Sequence, residues 1–334
     1  MRKALASTLV LALAMAIPGS TSPVMAKADN MIRIATLAPR DTDLAHNFIK
    51  IDRGLREATK GTWGIQLYPG GIAGDEKDVI RKMKVNQMDG SLITHIGLSQ
   101  IVREVTVLTV PGVIDTYDRV ERVQSAMKQE WDQLFDKGGF KLIAWGEVGQ
   151  VRFFSKTPIT KPSDLKSMRP WLWPESYMMK ETYKTVGANP VPLSMPEVYG
   201  GLQTGQIDMV WNSAIAVVAL QWHTKLSCVT KQTSGVLLGA MLMTKEKWQS
   251  IPEDVRKSLE EQIKKNIEGD NKETRESDKK ALEKLLQRGY KATDFSPEGK
   301  KEYDQVTNTV REHLVGRAYP KELLERVMKI ASGQ

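Results

Sequence analysis

Three tryptophans and an asparagine are the residues of this chain most suited to holding a small molecule. Trp171 and Trp173 flank Leu172, and Trp211 precedes Asn212. An indole offers a broad apolar face and one N–H donor, without charge. In a strand, side chains alternate between faces, so Trp171 and Trp173 share one face and Leu172 takes the other. That face can line a ligand pocket or pack into a core, and the spacing allows both. Ile207, Met209 and Trp211 alternate with Asp208 and Val210 in a short strand that ends on Asn212. In an open α/β sheet, ligands bind outside the carboxyl ends of the strands. Trp211 and Asn212 are therefore expected at a crevice. Leu37, after the first strand, and Thr94 and His95, at the end of the third, fall at equivalent positions.

Catalytic and metal chemistry find no such constellation. His46, His95, His223 and His313 show no metal-ligand spacing. Neither a G-x-S-x-G elbow nor an H-E-x-x-H pair is present, which argues against an exported hydrolase or lyase. The glycine-rich stretch 69–74 (PGGIAG) lacks a Gly-Lys-Ser/Thr ending, and its glycines read as turn positions ahead of a helix. Asp75 and Glu76 then suit that helix's first turn. The single cysteine, Cys228, reads as a small buried hydrophobe.

The elements that must position these residues alternate between strand and helix. Strands are predicted at 31–36, 63–68 and 90–94, with helices at 46–59 and 76–85 between them. This alternation signals a mostly parallel α/β sheet. Residues 141–146 and 151–155 read as two consecutive strands, and 160–166 as a turn beyond them. A helix spans about Met195 to Thr204, stopped by Gly205, and the apolar run 236–243 reads as a buried strand. Ile251-Pro252-Glu253-Asp254 opens a helical pattern that runs to Arg288, interrupted only by Gly269; a strand at 290–295 and two helices follow. At 334 residues the chain can bury a large core, and two lobes are expected. Residues 1–26 combine Arg2 and Lys3, an apolar run and the small-residue pattern Val24-Met25-Ala26. This reads as a cleaved signal peptide and predicts a periplasmic mature protein. Arg2 and Lys3 leave with it, lowering the formal charge of +8 by two. Lys, Arg, Glu and Asp are mixed evenly over 254–288, a solvated helix face rather than a nucleic-acid stripe.

Five phrases occur in a fixed order: an exported leader, YPGG…GDEKD from Tyr68, SDLK at 163–166, GANPVPL…EVY…LQTGQID at 187–208, and IPEDV at 251–255. Together they resemble the extracytoplasmic solute receptors of tripartite ATP-independent periplasmic (TRAP) transporters, the dicarboxylate-binding-protein-like family. The resemblance implies an α/β, two-lobed fold of the periplasmic-binding-protein type II kind. Each lobe is a mixed β-sheet flanked by helices, and a long helix spans both. It implies lobe I at 29–150 plus 234–268 and lobe II at 151–233 plus 269–334. The implied function is capture of a small ligand in the interlobe cleft, without catalysis, cofactor or metal. Delivery would be to the membrane subunits of a TRAP-type transporter, with or without an accessory periplasmic protein.

Acid-binding members of that family carry an arginine seven residues after the aspartate of the SDLK phrase, as a carboxylate clamp. Here the count from Asp164 lands on Trp171. Two readings follow. In the first, Trp171 replaces the clamp, and Trp171, Trp173 and Trp211 line a pocket for an apolar or amphipathic ligand, its polar end held by Asn212 or Thr94. In the second, Arg169 clamps an organic acid from a displaced position, across Pro170. By the same resemblance Arg152 corresponds to a second arginine, acting as a ligand contact or as a hinge ion pair. Gln232, Leu237 and Leu238 are implied at the pocket floor. A periplasmic hydrophobe carrier without a transporter is the remaining alternative.

Overall fold

In the computed structural model, residues 28–269 and 271–334 are described. Residues 1–26, expected to be a signal peptide, lie outside them. The first strand, β1 (Asn30–Thr36), leads into helix α1 (Asp43–Ala58). Thr42 caps α1 by accepting from the Ala45 amide, and Phe48, Ile51 and Leu55 form its buried face. Strand β2 (Trp63–Tyr68), helix α2 (Glu76–Lys84), strand β3 (Gly90–Thr94) and the short helix α3 (His95–Leu98) complete the first unit. β1 pairs in parallel with both β2 and β3, as strand–helix alternation requires.

Helix α4 (Tyr117–Lys137) precedes β4 (Phe140–Ser155). The two strands expected at 141–146 and 151–155 are one 16-residue strand, bent by register shifts at Leu142/Ala144 and Glu147/Gly149. Gly149 takes φ 134 at the second shift. Bulges let a strand turn without losing its pairing, so β4 crosses from one half of the sheet to the other.

β5 (Trp171–Leu172), α5 (Tyr177–Val186), β6 (Val191–Pro192), α6 (Val198–Thr204), β7 (Met209–Asn212), α7 (Ala214–Ala219), β8 (Cys228–Thr230) and β9 (Gly235–Thr244) follow in order. The first part of β4 pairs antiparallel with β9, and Arg152–Ser155 pair with β7. β9 pairs on its other side with β3, so β4 and β9 join the two halves. Cys228 is buried.

The long helix expected from Pro252 to Arg288 is interrupted. After α8 (Lys245–Ser250) come α9 (Glu253–Ile263), a π turn (Lys264–Glu268) and α10 (Asn271–Gln287). α9 packs on α1, while α10 packs on β4 and α7, so the segment still runs from one half to the other. A side chain at Gly269 would meet the Lys265 carbonyl at 2.5 Å, so the turn closes only around glycine. β10 (Lys291–Thr293) completes an eight-stranded sheet in the order β10-β8-β4-β9-β3-β1-β2, with β7 also on β4. Of the last two helices, α11 (Pro297–Leu314) packs on α5, and α12 (Lys321–Ser332) returns to α4. Among the described residues no helix is long and apolar enough to cross a membrane.

Candidate functional site

The carboxyl ends of β1, β3 and β7 converge on a cavity of about 190 Å³. Leu37 and Thr94 face it from the first unit, Val148 from the crossing strand β4, Asn212 and Ile215 from β7 and α7, and Leu237 from β9. The π turn contributes Asn266 and Ile267. π turns recur at functional sites because they re-aim side chains. Gly239 at the floor lets β9 approach β3, since a Cβ there would sit 2.9 Å from the Ile93 carbonyl oxygen.

The wall is mainly apolar, and its charged members are all acids: Asp43, Glu76, Glu147 and Glu273. Among the described residues that line it there is no arginine, lysine or histidine. Glu147 is neutralised: Arg275 donates to its two oxygens at 2.7 Å each, donates to Glu121 at 2.7 Å, and lies 4.4 Å above the Tyr117 ring. Asp43 and Glu273 are exposed.

Glu76 is different. Its side chain turns inward from α2 and accepts from the Thr94 amide (2.7 Å), the Thr94 hydroxyl (2.9 Å) and the Gly97 amide (2.8 Å). A Cβ at Gly97 would lie 2.7 Å from Glu76 Oε2, so the bond to that amide needs glycine. Burial pushes the Glu76 carboxyl up to about 8, more than these hydrogen bonds lower it. Its neighbour Asp75 caps α2 through the Glu76 amide (2.7 Å) and reaches across to the Met195 amide (2.9 Å). Burial raises the Asp75 carboxyl too, against the pull of these bonds and of the Trp173 indole. The first-turn acids of the GDEKD phrase thus do more than favour a helix dipole, and their charge and spacing alone did not reveal it.

The burial of Glu76 and of His95 gives a pH signature. Glu76 holds a proton in the folded protein between about pH 4.5 and 8 that the unfolded chain has released. Its contribution is complete below 4.5 and is lost as pH rises to 8. His95 acts oppositely: burial pushes its imidazole from 6.5 down to about 4, so stability rises with pH between those values. Above pH 6.5 only the Glu76 contribution of this pair remains. Unfolding free energy is therefore expected to fall by about 1.4 kcal/mol per pH unit just above 6.5, and by about half that slope at pH 8. Urea denaturation across that window should show the slope in the native protein and a clearly shallower one in Glu76→Gln; equal slopes in both would refute the assignment.

The tryptophans stand elsewhere. Trp171 is 0% exposed, and Trp173 and Trp211 are 2%. Trp171 stacks between the other two, at 5.7 Å from Trp173 and 5.4 Å from Trp211, with Trp222 edge-on at 5.4 Å. Its indole N–H donates to the Leu193 carbonyl (2.9 Å), and the Tyr183 hydroxyl donates to the Trp171 carbonyl (2.9 Å). None of the three lines the cavity described above. The expected aromatic lining is corrected accordingly: four indoles gain more by burying one another than by facing a wet cleft.

The arginines also lie off the cavity. Arg169 is exposed, and it pairs with Asp208 at 3.2 Å. Arg152 donates to the Lys231 carbonyl (3.0 Å) and to Gln150 Oε1 (3.2 Å), and burial lowers its guanidinium pKa. His95 is buried and is not part of the wall. Of the floor residues, Leu237 lines the cavity, Leu238 is buried behind it, and Gln232 is bound to Asp294. Leu37, Thr94 and Asn212 are the predicted residues that the fold brings together at the cavity.

A two-lobed α/β chain with its cavity at the strand ends, built from both halves of the sheet, has the architecture of a solute-binding receptor. The chain belongs to bacterial extracellular solute-binding protein family 7, whose profile matches residues 34–316. The C4-dicarboxylate-binding periplasmic protein of Rhodobacter capsulatus is 23% identical over 321 residues, 94% of this chain and 93% of its own. The corresponding protein of Vibrio cholerae is 22% identical over 207 residues, 62% of each chain. The ectoine/5-hydroxyectoine-binding periplasmic protein of Ruegeria pomeroyi is 31% identical over 153 residues, 43% of each. Among solved structures, a TRAP periplasmic solute-binding protein of Shewanella oneidensis with bound succinate superposes with a TM-score of 0.84 at 20% identity. The superposition covers 92% of this chain and 100% of that one. The family consists of periplasmic receptors, not enzymes, and TRAP membrane partners are typical of it.

Proposed function

We propose that this protein is an extracytoplasmic receptor that captures an apolar or amphipathic solute in the cavity and delivers it to a TRAP-type transporter. One observation carries the ligand class: the cavity wall is apolar, with four acids and no basic side chain among the described residues. A carboxylate placed there would lose its water without gaining a cation, which costs several kcal/mol. The position where the family resemblance implies a clamp arginine is Trp171, sealed into the indole stack. The names of the relatives cover ectoine as well as dicarboxylates, so ligand chemistry varies within the family.

The proposed lobes are 29–150 plus 234–268 and 151–233 plus 269–334, hinged where β4 and β9 cross. Ligand contacts from both lobes favour the closed state, and that differential affinity drives closure. The Asp75–Met195 bond would add to the closed form.

Native mass spectrometry of protein purified without refolding, followed by denaturing extraction, tests the ligand class. An apolar or amphipathic molecule is expected. A retained dicarboxylate or oxo acid would overturn this reading and return attention to Arg169 or Arg152. Co-purification of transporter membrane subunits is expected too, and separates a receptor from a free hydrophobe carrier.

A further inference from the structure

The four acids of the cavity wall are not equivalent. Glu147 is saturated by Arg275, and Asp43 and Glu273 are exposed to water. Glu76 is 3% exposed and has no basic partner among the cavity-lining residues. A carboxylate oxygen accepts about two hydrogen bonds. Oε2 of Glu76 receives two, from the Thr94 hydroxyl and the Gly97 amide, whereas Oε1 receives one, from the Thr94 amide. One acceptor direction on Oε1 therefore remains, on a side chain that lines the cavity. The exposed Asp43 and Glu273 add negative potential, and the rest of the wall, including Leu37, Leu92 and Leu237, suits a hydrocarbon body.

We propose that Glu76 is the polar anchor of the site and that it pairs with a positively charged nitrogen, so that the ligand is an amine or amidine carrying an apolar body. This deepens the receptor reading above and rests on its assignment of the cavity. The pairing is a charge-assisted hydrogen bond from the ligand N–H to Oε1. It requires the Glu76 carboxylate, so at neutral pH the carboxyl proton passes to solvent as the cation enters. Around Glu76 stand Asp75 on its own helix, the neutral His95 beyond Thr94, and the Glu147–Arg275 pair, Asp43 and Glu273 on the other walls. Of these, none supplies an uncommitted cation. The buried Glu76 carboxyl, held up to about 8, makes affinity for a cation rise with pH through that value.

Three probes with one hydrocarbon body separate the possibilities: cyclohexylmethylamine, cyclohexylmethanol and cyclohexanecarboxylate. Titration calorimetry on the full-length mature protein should show the amine binding about tenfold tighter than the alcohol at pH 8.5. Amine affinity should fall about 25-fold between pH 8.5 and 6.5 while alcohol affinity stays level. Glu76→Gln should remove most of the amine's advantage and its pH dependence. Equal binding of amine and alcohol, insensitive to pH and to Glu76→Gln, would overturn the anchor and leave the apolar-cavity reading standing. Tightest binding by the carboxylate would overturn both, and failure of all three to bind would overturn the apolar-body reading itself. The pH series on the native protein keeps the test decisive even where Glu76→Gln folds poorly.

Discussion

Trp171→Arg is expected to prevent folding at 37 °C rather than to convert the site to one for acids. Placing an arginine where the family resemblance implies a carboxylate clamp looks like a specificity switch on the sequence alone. The structure puts that side chain in the indole stack, 0% exposed, with its N–H bonded to the Leu193 carbonyl. Removing a buried tryptophan costs about 3–5 kcal/mol. An unpaired guanidinium buried in its place adds several more. Total stability for a domain is about 5–15 kcal/mol, so little or none remains. Trp171→Phe, which keeps most of the stack but loses the bond to Leu193, should cost about 1–3 kcal/mol. Soluble yield and urea denaturation of the two variants check this. A folded Trp171→Arg protein that binds a carboxylate would place residue 171 at the ligand and reverse the core assignment.

Arg275→Ala is expected to cost about 3–5 kcal/mol, far above the usual effect of a surface ion pair. The Glu147 side chain is 1% exposed, and Arg275 grips both of its oxygens while bridging to Glu121 of α4. The guanidinium also covers the Tyr117 ring at 4.4 Å. Truncation therefore leaves a buried carboxylate without its cation, beside the cavity, and loosens α10 from the crossing strand. The double variant Arg275→Ala with Glu147→Gln should recover much of the loss, because the orphaned charge is gone. Urea denaturation of the single and double variants measures this. A single-variant cost below about 1 kcal/mol would show that water reaches Glu147 and that the pair is not structural.

Much of the frame was legible along the chain. Strand–helix alternation over 31–94 follows from side-chain periodicity, and the parallel β2-β1-β3 pairing follows from the alternation. Of the residues placed at strand ends, Leu37, Thr94 and Asn212 line the cavity for that reason, whereas Trp211 and His95 do not. Other features escaped because their signals are ambiguous at short range. A bulged strand such as β4 contains a Gly-rich interruption that reads as two strands. A π turn keeps helical composition, so the break between α9 and α10 is invisible to periodicity. Glu76 and Asp75 look like ordinary first-turn acids until a second element arrives to bury them.

The sequence by itself determined the strand–helix alternation, the elements that carry the cavity, and the absence of an arginine seven residues after Asp164. Those are properties of local pattern and of counting. Only the tertiary structure decided which side of each strand meets solvent, because a period of two marks two faces without saying which is the core. That choice fell to packing: three stacked indoles and Trp222 closed around one another, Arg169 turned out to Asp208, and Glu76 turned in beside the cavity. The free energy of burying large aromatic surfaces depends on partners far apart in the chain, and no local pattern of residues encodes it.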